Sequence, residues 1–341
     1  MPRVLMWVPL PPPFAGPEIA SRALVEACRP LLDVVVESAT VRTSNATKGR
    51  FDLDGIIAFG RAYRRFLRAL RGVEVVYLVV AGNVVGGLRD AVLIATARAA
   101  GKRIVLHFRG GRYDELASPA WRFATRSIVQ SERLRAQVPR RTDVIPNGLD
   151  ECEHPAKARY SREHPALLFV GHVAKSKGFH DLVDAARGAE LHVAGEILDD
   201  DLRSLLASPG VTYHGVVTGE AKRALFDRCD VFVLPSYGEG FSLAMLEAMF
   251  HGLAVITTNV GAAPDVIASS NGILVEPGDR GALADAIAAL RDDPDRRIAI
   301  GRHNAREARE RYRLEDVARR LCSVIEEAAR PELEREQHPQ R

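Results

Sequence analysis

VFVLPSYGEGFSLAMLEAMFHGLAVITT, residues 231–258, passes from an apolar run to a glycine-containing loop, then to a helical pattern and a second apolar run. Val231–Leu234 reads as a buried strand ending at Pro235, and SYGEGF (236–241) as the loop behind it. Ser242–Phe250 reads as a helix closed by Gly252, and Ala254–Thr257 as the next strand. Strands that are apolar throughout, not alternating, are covered on both faces, which is the habit of parallel sheets flanked by helices.

Outward from this segment the same unit recurs. Apolar runs at Val4–Val8, Val34–Glu37, Val73–Val80, Ile104–Phe108, Ser127–Val129 and Asp143–Ile145 fill the first half. Ala166–Val170, Leu191–Ala194, Val211–Tyr213 and Gly272–Val275 join the two above in the second. Strand–helix alternation through both halves predicts an α/β chain of two Rossmann-like, doubly wound domains. A length of 341 residues suits two domains of ordinary size. The boundary is expected near Asp150–Pro165, in ECEHPAKARYSREHP, which is polar and without period. The division is then 1–150 and 151–310, with a C-terminal helix over 311–330 placed to cross back to the first domain and a frayed tail over 331–341.

Hydrophobic residues at 47% and charged residues at 27% are the profile of a globular chain, and no apolar run reaches the roughly 18 residues that span a bilayer. The start MPRVLMWVPLPPPF breaks into prolines and reads as a first strand and loop, not as a signal peptide. Cys28, Cys152, Cys229 and Cys322 are scattered, which argues against a zinc site or a disulfide framework and for a reducing cytoplasm. Charge is uneven. Residues 1–150 carry 23 Lys and Arg against 13 Asp and Glu, whereas residues 151–341 carry 24 against 31. The basic half suits an anionic partner, but no zinc finger, basic heptad region or aromatic RNP pattern points to nucleic acid.

In open α/β sheets ligands bind beyond the carboxyl ends of the strands. The loop 236–241 lies at such an end, and the helix behind it aims its N-terminus into the loop. The N–H groups of Phe241, Ser242 and Leu243 suit an anion such as a diphosphate, and Gly238 and Gly240 let the backbone approach. Glu239 and Glu247 flank that anion site. A carboxylate beside a phosphate is unfavourable unless it accepts from hydroxyls, and sugar and ribose hydroxyls meet that need. The plainer readings are a capping acid for Glu239 and a solvated helix face for Glu247. Against the latter, Glu247 lies inside the otherwise apolar run Leu243–Phe250.

Residues 231–258 resemble the signature of the GT-B glycosyltransferases of family GT4, whose donor site carries two glutamates separated by seven residues, as Glu239 and Glu247 are. FVGHVAKSKG (169–178) resembles the family's GRLxxxKG segment, VIPNGLD (144–150) its IPNGVD turn, NGILVEPGD (271–279) its late GxLVxPGD segment, and FAGPEIASRAL (14–24) its N-terminal GGxE loop. The resemblance implies a GT-B architecture, with two domains facing a central cleft. The implied reaction is transfer of a sugar from a nucleoside diphosphate sugar to an acceptor hydroxyl, with retention and without a metal or other cofactor. Glu239, Lys177 and His107 become the expected catalytic residues. Gly16, Gly171, His172, Gly195, Val216, Gly240, Phe241, Ser242, Leu243 and Glu247 become the expected donor-binding residues. Lys177 can reach a diphosphate as a point charge. His172 stands where the family usually has arginine, and Lys175 is the candidate substitute. Gly195–Glu196 resembles a reduced GxGP turn, and Gly215–Val216 the segment that reads the base. His107, with Arg109, Gly110 and Gly111 behind it in IVLHFRGG, is expected to face the cleft.

The Asp52–Asp54 and Asp293–Asp295 pairs follow no convincing strand, so no metal role is expected of them. The Asp199–Asp201 run reads as a helix N-terminus. No GxGxxG follows Val4–Val8, which argues against a dinucleotide oxidoreductase. An inactive GT-B scaffold that binds a nucleotide sugar, a sugar-nucleotide epimerase and a phosphorylase are the rivals. The acceptor is expected to be a glycan, a lipid-linked sugar or a small molecule. RAYRRFLRALR (61–71) gathers Arg61, Arg64, Arg65, Arg68 and Arg71 on one helical face. It reads either as a plain surface helix or as one that rests on an anionic membrane, at the inner face of which the enzyme would work.

Overall fold

The computed structural model describes residues 1–13, 15–39, 53–110, 113, 118–138, 142–157, 160, 163 and 165–330. Phe14, Asp52, Gly111, parts of the 151–165 segment and the tail 331–341 lie outside the described residues.

The chain forms two compact units, Met1–Gly148 with the chain from Leu314 onward, and Leu149–Arg313. The divisions fall at 148/149 and 313/314, where the sequence suggested 150 and 310. In the first unit the order is β1 (Arg3–Val8), α1 (Gly16–Cys28), β2 (Asp33–Ser38), α2 (Leu53–Ala69), β3 (Val75–Val80), α3 (Val84–Ala99), β4 (Arg103–Phe108), β5 (Arg126–Val129), α4 (Glu132–Arg135) and β6 (Thr142–Val144). The second unit runs β7 (Leu167–Val170), α5 (Phe179–Ala185), β8 (Leu191–Ala194), β9 (Val211–Tyr213), α6 (Gly219–Arg228), β10 (Val231–Leu234), α7 (Leu243–His251), β11 (Ala254–Thr258), α8 (Ala263–Val266), β12 (Gly272–Val275), α9 (Arg280–Asp292) and α10 (Pro294–Arg311). Then α11 (Leu314–Ala329) packs on the first unit, against α1.

Each unit has one six-stranded sheet whose neighbours all pair in parallel. The orders are β2-β1-β3-β4-β5-β6 and β12-β11-β10-β7-β8-β9. Side chains alternate across each sheet. In β1, Val4, Met6 and Val8 join the core under α1 and α11, while Leu5 and Trp7 face the layer of α2 and α3. There Trp7 meets Phe66 edge-on, with ring centroids 5.3 Å apart. The order reverses direction between β1 and β3 in the first sheet and between β7 and β10 in the second, and those are the places where loops diverge and leave room for a ligand.

Lys157, within the polar boundary segment 151–165, is tied to the second unit. It is buried, and its Nζ donates to Asp230 Oδ1 at 2.7 Å and to Cys229 O at 2.6 Å, just before β10. A buried charge needs such a partner, and removing one member of a buried pair costs about 3–5 kcal/mol. Lys157 is therefore anchored to the second sheet.

Candidate active site

The reversal in the second sheet brings together the loops behind β7 and β10. Behind β7, Lys175–Lys177 forms a single 3-10 turn that ends at Gly178, with φ +64°. A Cβ on Gly178 would lie 2.0 Å from the carbonyl oxygen of Pro235, so only glycine lets the two loops approach this closely. Tyr237 N donates to Ser176 O at 2.9 Å across the same seam. Held this way, Lys177 Nζ donates to Glu239 Oε1 at 2.6 Å, and the Ser236 hydroxyl donates to the same oxygen at 2.9 Å. Both charged side chains keep partial contact with solvent. Lys177 and Glu239, 62 residues apart in sequence, thus share one point at the end of the sheet.

Behind that loop α7 begins. Ser242 is its N-cap, and its hydroxyl accepts from Met245 N at 3.2 Å. The cap occupies one of the first N–H groups and leaves those of Leu243 and Ala244 without an intrahelical acceptor. They form the positive end of a nine-residue helix, which favours an anion there. Phe241 is buried and packs edge-on with Tyr312. Gly240 O accepts from Ala262 N at 2.9 Å, which pins the loop to the start of α8.

Glu247 is buried within α7 but not alone. Lys222 of α6 brings its Nζ within 2.6–2.7 Å of both carboxylate oxygens. The solvated-face reading of Glu247 fails on its burial. Lys222 was not legible in the sequence, because the pairing joins two helices through space. Ser236 was legible in principle, as a hydroxyl three residues before an acid in a tight loop.

The remaining donor-binding candidates lie on neighbouring loops of the same sheet edge. Gly195, φ +151°, would place a Cβ 1.8 Å from Gly171 O, so the approach of the two loops requires glycine at position 195. Gly195 N donates to Gly215 O at 2.8 Å, and beyond it Val216 is open to solvent. His172 is half-buried. Lys175, the candidate substitute for an arginine at position 172, points elsewhere. Its Nζ pairs with Asp201 at 2.6 Å, and its backbone N–H donates to Asp199 at 2.6 Å. Asp199 precedes the 3-10 helix Asp200–Ala207, so the aspartate run does open a helix.

In the first unit Gly16 opens α1 behind β1, at the reversal of that sheet, and is exposed. His107 is not where the sequence suggested. Phe108, not His107, ends β4, and because consecutive side chains point to opposite faces, His107 turns into the layer under α1 and α11. It is 1% exposed, and its Nδ1 lies 2.5 Å from the Tyr77 hydroxyl. Burial, with Arg109 adding repulsion, pushes its pKa well below the usual histidine range, so the imidazole is neutral. With Ala20, Leu24, Arg109, Asn147 and Val317 it lines a cavity of about 10 Å³. Arg109 donates to the Ser21 hydroxyl at 2.6 Å and to Asn147 Oδ1 at 2.9 Å, which ties β4 to α1 and to the VIPNGLD turn. Among the described residues no three His, Cys, Asp or Glu side chains gather as a metal-binding group, and no helix is long and apolar enough to cross a membrane.

Residues 164–293, within the second unit, match the family model described as "Glycosyl transferases group 1". A glycogen synthase of Mycobacterium tuberculosis is 35% identical over 182 residues, covering 49% of this chain and 43% of that protein. A D-inositol 3-phosphate glycosyltransferase of Arthrobacter is 36% identical over 185 residues, covering 47% and 44%. The chain thus matches less than half the length of these curated relatives. Among solved structures, a sucrose-phosphate synthase from Thermosynechococcus elongatus superposes with a TM-score of 0.77 at 19% identity, over 96% of this chain and 99% of that one. The Anabaena protein HepE, in complex with UDP and glucose, superposes with 0.75 at 18% identity, over 96% and 100%. These likenesses assign the chain the GT-B fold.

Proposed function

We propose that this chain, whose residues 164–293 match the group 1 glycosyl transferases, moves a sugar from a nucleoside diphosphate sugar to an acceptor hydroxyl. The observation that carries the reading is the Lys177–Glu239 pair at the reversal of the second sheet, on the loop from which α7 starts. In the structure the two charges neutralise each other. An arriving diphosphate offers Lys177 a doubly charged partner and frees Glu239 to accept from sugar hydroxyls. Glu247, held by Lys222, accepts from the ribose hydroxyls, and the segment Gly215–Val216 lies where the base is read. HepE was solved with UDP and glucose, which makes UDP-glucose the first donor to try.

Chemistry then consists of breaking the bond between the anomeric carbon and the diphosphate oxygen while the acceptor oxygen bonds to that carbon. The acceptor proton passes to the departing phosphate on the same face, so configuration is retained. Negative charge grows on the leaving diphosphate, and Lys177 with the free N–H groups of Leu243 and Ala244 stabilises it where it grows. These fixed positive groups support turnover without a metal. The buried His107 has no proton-transfer part in this scheme. The acceptor is a glycan or glycolipid hydroxyl, and the four free cysteines fit a reducing cytoplasm.

The test is release of nucleoside diphosphate with donor, acceptor and exhaustive chelation. The expected result is acceptor-dependent release that chelation leaves intact. Binding without release marks a scaffold, and an altered donor formed without acceptor marks an epimerase. Activity restored only by Mg²⁺ or Mn²⁺ contradicts the leaving-group scheme.

A further inference from the structure

The basic stretch 61–71, on α2 and the turn behind it, finds no use in the donor site, and its placement gives it another. In α2 the residues Ala62 and Phe66 turn inward and are buried, as is Leu70 just past the helix end. At 100° per residue, Arg61, Arg64 and Arg68 then lie on the opposite side, and all three are exposed, as is Arg71 in the turn behind the helix. Arg65 is turned aside to Glu37 of β2, at 3.0 Å. Among the described residues no carboxylate pairs with the other four.

The neighbouring helix in the same layer is α3, joined to α2 by a hydrogen bond of 2.9 Å between Tyr63 and Thr96. Its inward residues are Leu93, Ile94 and Ala97. Its outward stripe, at i, i+4 and i+8, is Val84, Leu88 and Val92, which are 65%, 66% and 46% exposed. Ile57 of α2 adds a further aliphatic side chain at 54% exposure. Two adjacent helices thus present unpaired arginines and an aliphatic stripe outward from one layer. Single exposed apolar residues need no explanation, but a regular stripe beside a row of unpaired cations does.

We propose that the outer face of α2 and α3 docks on an anionic lipid surface. Guanidinium groups engage lipid phosphates in bidentate fashion, while Val84, Leu88, Val92 and Ile57 enter the boundary between headgroups and acyl chains. The apolar stripe decides for lipid over a dissolved polyanion. A polyanion satisfies the arginines but leaves the aliphatic side chains in water. The net positive charge of residues 1–150 adds attraction to the same surface. Docking here needs nothing from the donor site in the other unit.

The experiment is flotation of the full chain with vesicles of phosphatidylglycerol and phosphatidylcholine, or of phosphatidylcholine alone, in low and high salt. Binding is expected to the anionic vesicles only, and to weaken as salt screens the surface. Arg64→Gln with Arg68→Gln should lower partitioning about 30-fold, at about 1 kcal/mol for each arginine at such a surface. Val84→Ser with Leu88→Ser and Val92→Ser should lower vesicle binding severalfold while leaving binding to immobilised heparin unchanged. All these positions are exposed, so unchanged melting temperatures and unchanged nucleotide binding are expected of both variants. No binding to anionic vesicles at low salt overturns the proposal. So does a serine variant that binds vesicles like the wild type, since the surface is then one for polyanions.

Discussion

The two sheets are wound alike, yet the loops at their ends hold opposite kinds of polar groups. In the second unit Lys177, Glu239, Lys222 and Glu247 stand in ion pairs, three of them in partial contact with solvent, around a free helix N-terminus. In the first unit the buried His107 pairs through Nδ1 with the Tyr77 hydroxyl while its Nε2 has no protein partner, and Arg109 braces α1 against the VIPNGLD turn. The Lys177–Glu239 pair keeps partial contact with solvent at 23% and 16% side-chain exposure, so water can reach and compete for either partner. A ligand with more charge can break the pair. A buried neutral pair has no such alternative and stabilises the fold. Topology therefore marks two places where a ligand fits, and only the chemistry of the side chains separates the reactive one from the structural one.

Three substitutions test that division, from the largest effect to the smallest. Lys177→Ala removes charge from the leaving group and should lower kcat about 10²–10³-fold, as loss of a single preorganised donor does elsewhere. Steady-state kinetics with the identified donor check it, and wild-type kcat would break the contrast. Glu247→Ala should act on binding instead, raising KM for the donor roughly tenfold to a hundredfold with a smaller change in kcat, since a hydrogen bond to a charged group is worth about 1.5–3 kcal/mol. Titration of donor by calorimetry separates this from a loss of folded protein. In the first unit, His107→Phe keeps the ring shape but leaves the Tyr77 hydroxyl without its partner. It should cost about 1–3 kcal/mol of stability, read as a lower melting temperature, with kcat within about threefold of wild type. A large fall in kcat at an unchanged melting temperature would move the chemistry into the first unit.

The strands of both sheets were legible because strands buried on two faces are written as unbroken Val, Ile and Leu runs. The β10–α7 segment was legible for a second reason: Ser242 caps the helix and Gly252 ends it with φ +81°. The family match falls in the same unit, over residues 164–293. What escaped depends on the third dimension. Lys222 meets Glu247 only once α6 lies against α7. Lys157 is one more charge in a polar segment until β10 brings Asp230 to it. His107 was misplaced for a smaller reason. In IVLHF the residue before the end of a strand points to the face opposite the last one, and a shift of one position exchanges loop for core.

Amide hydrogen exchange of the full chain, with and without the nucleoside diphosphate that raises its melting temperature most, tests most directly whether the donor sits in the second unit. The account predicts slowed exchange in 171–178 and in 236–246, where backbone N–H groups and Lys177 meet the diphosphate, with little change in 103–108 around His107. Slowing confined to the first unit, or none in either loop at saturating ligand, would contradict it.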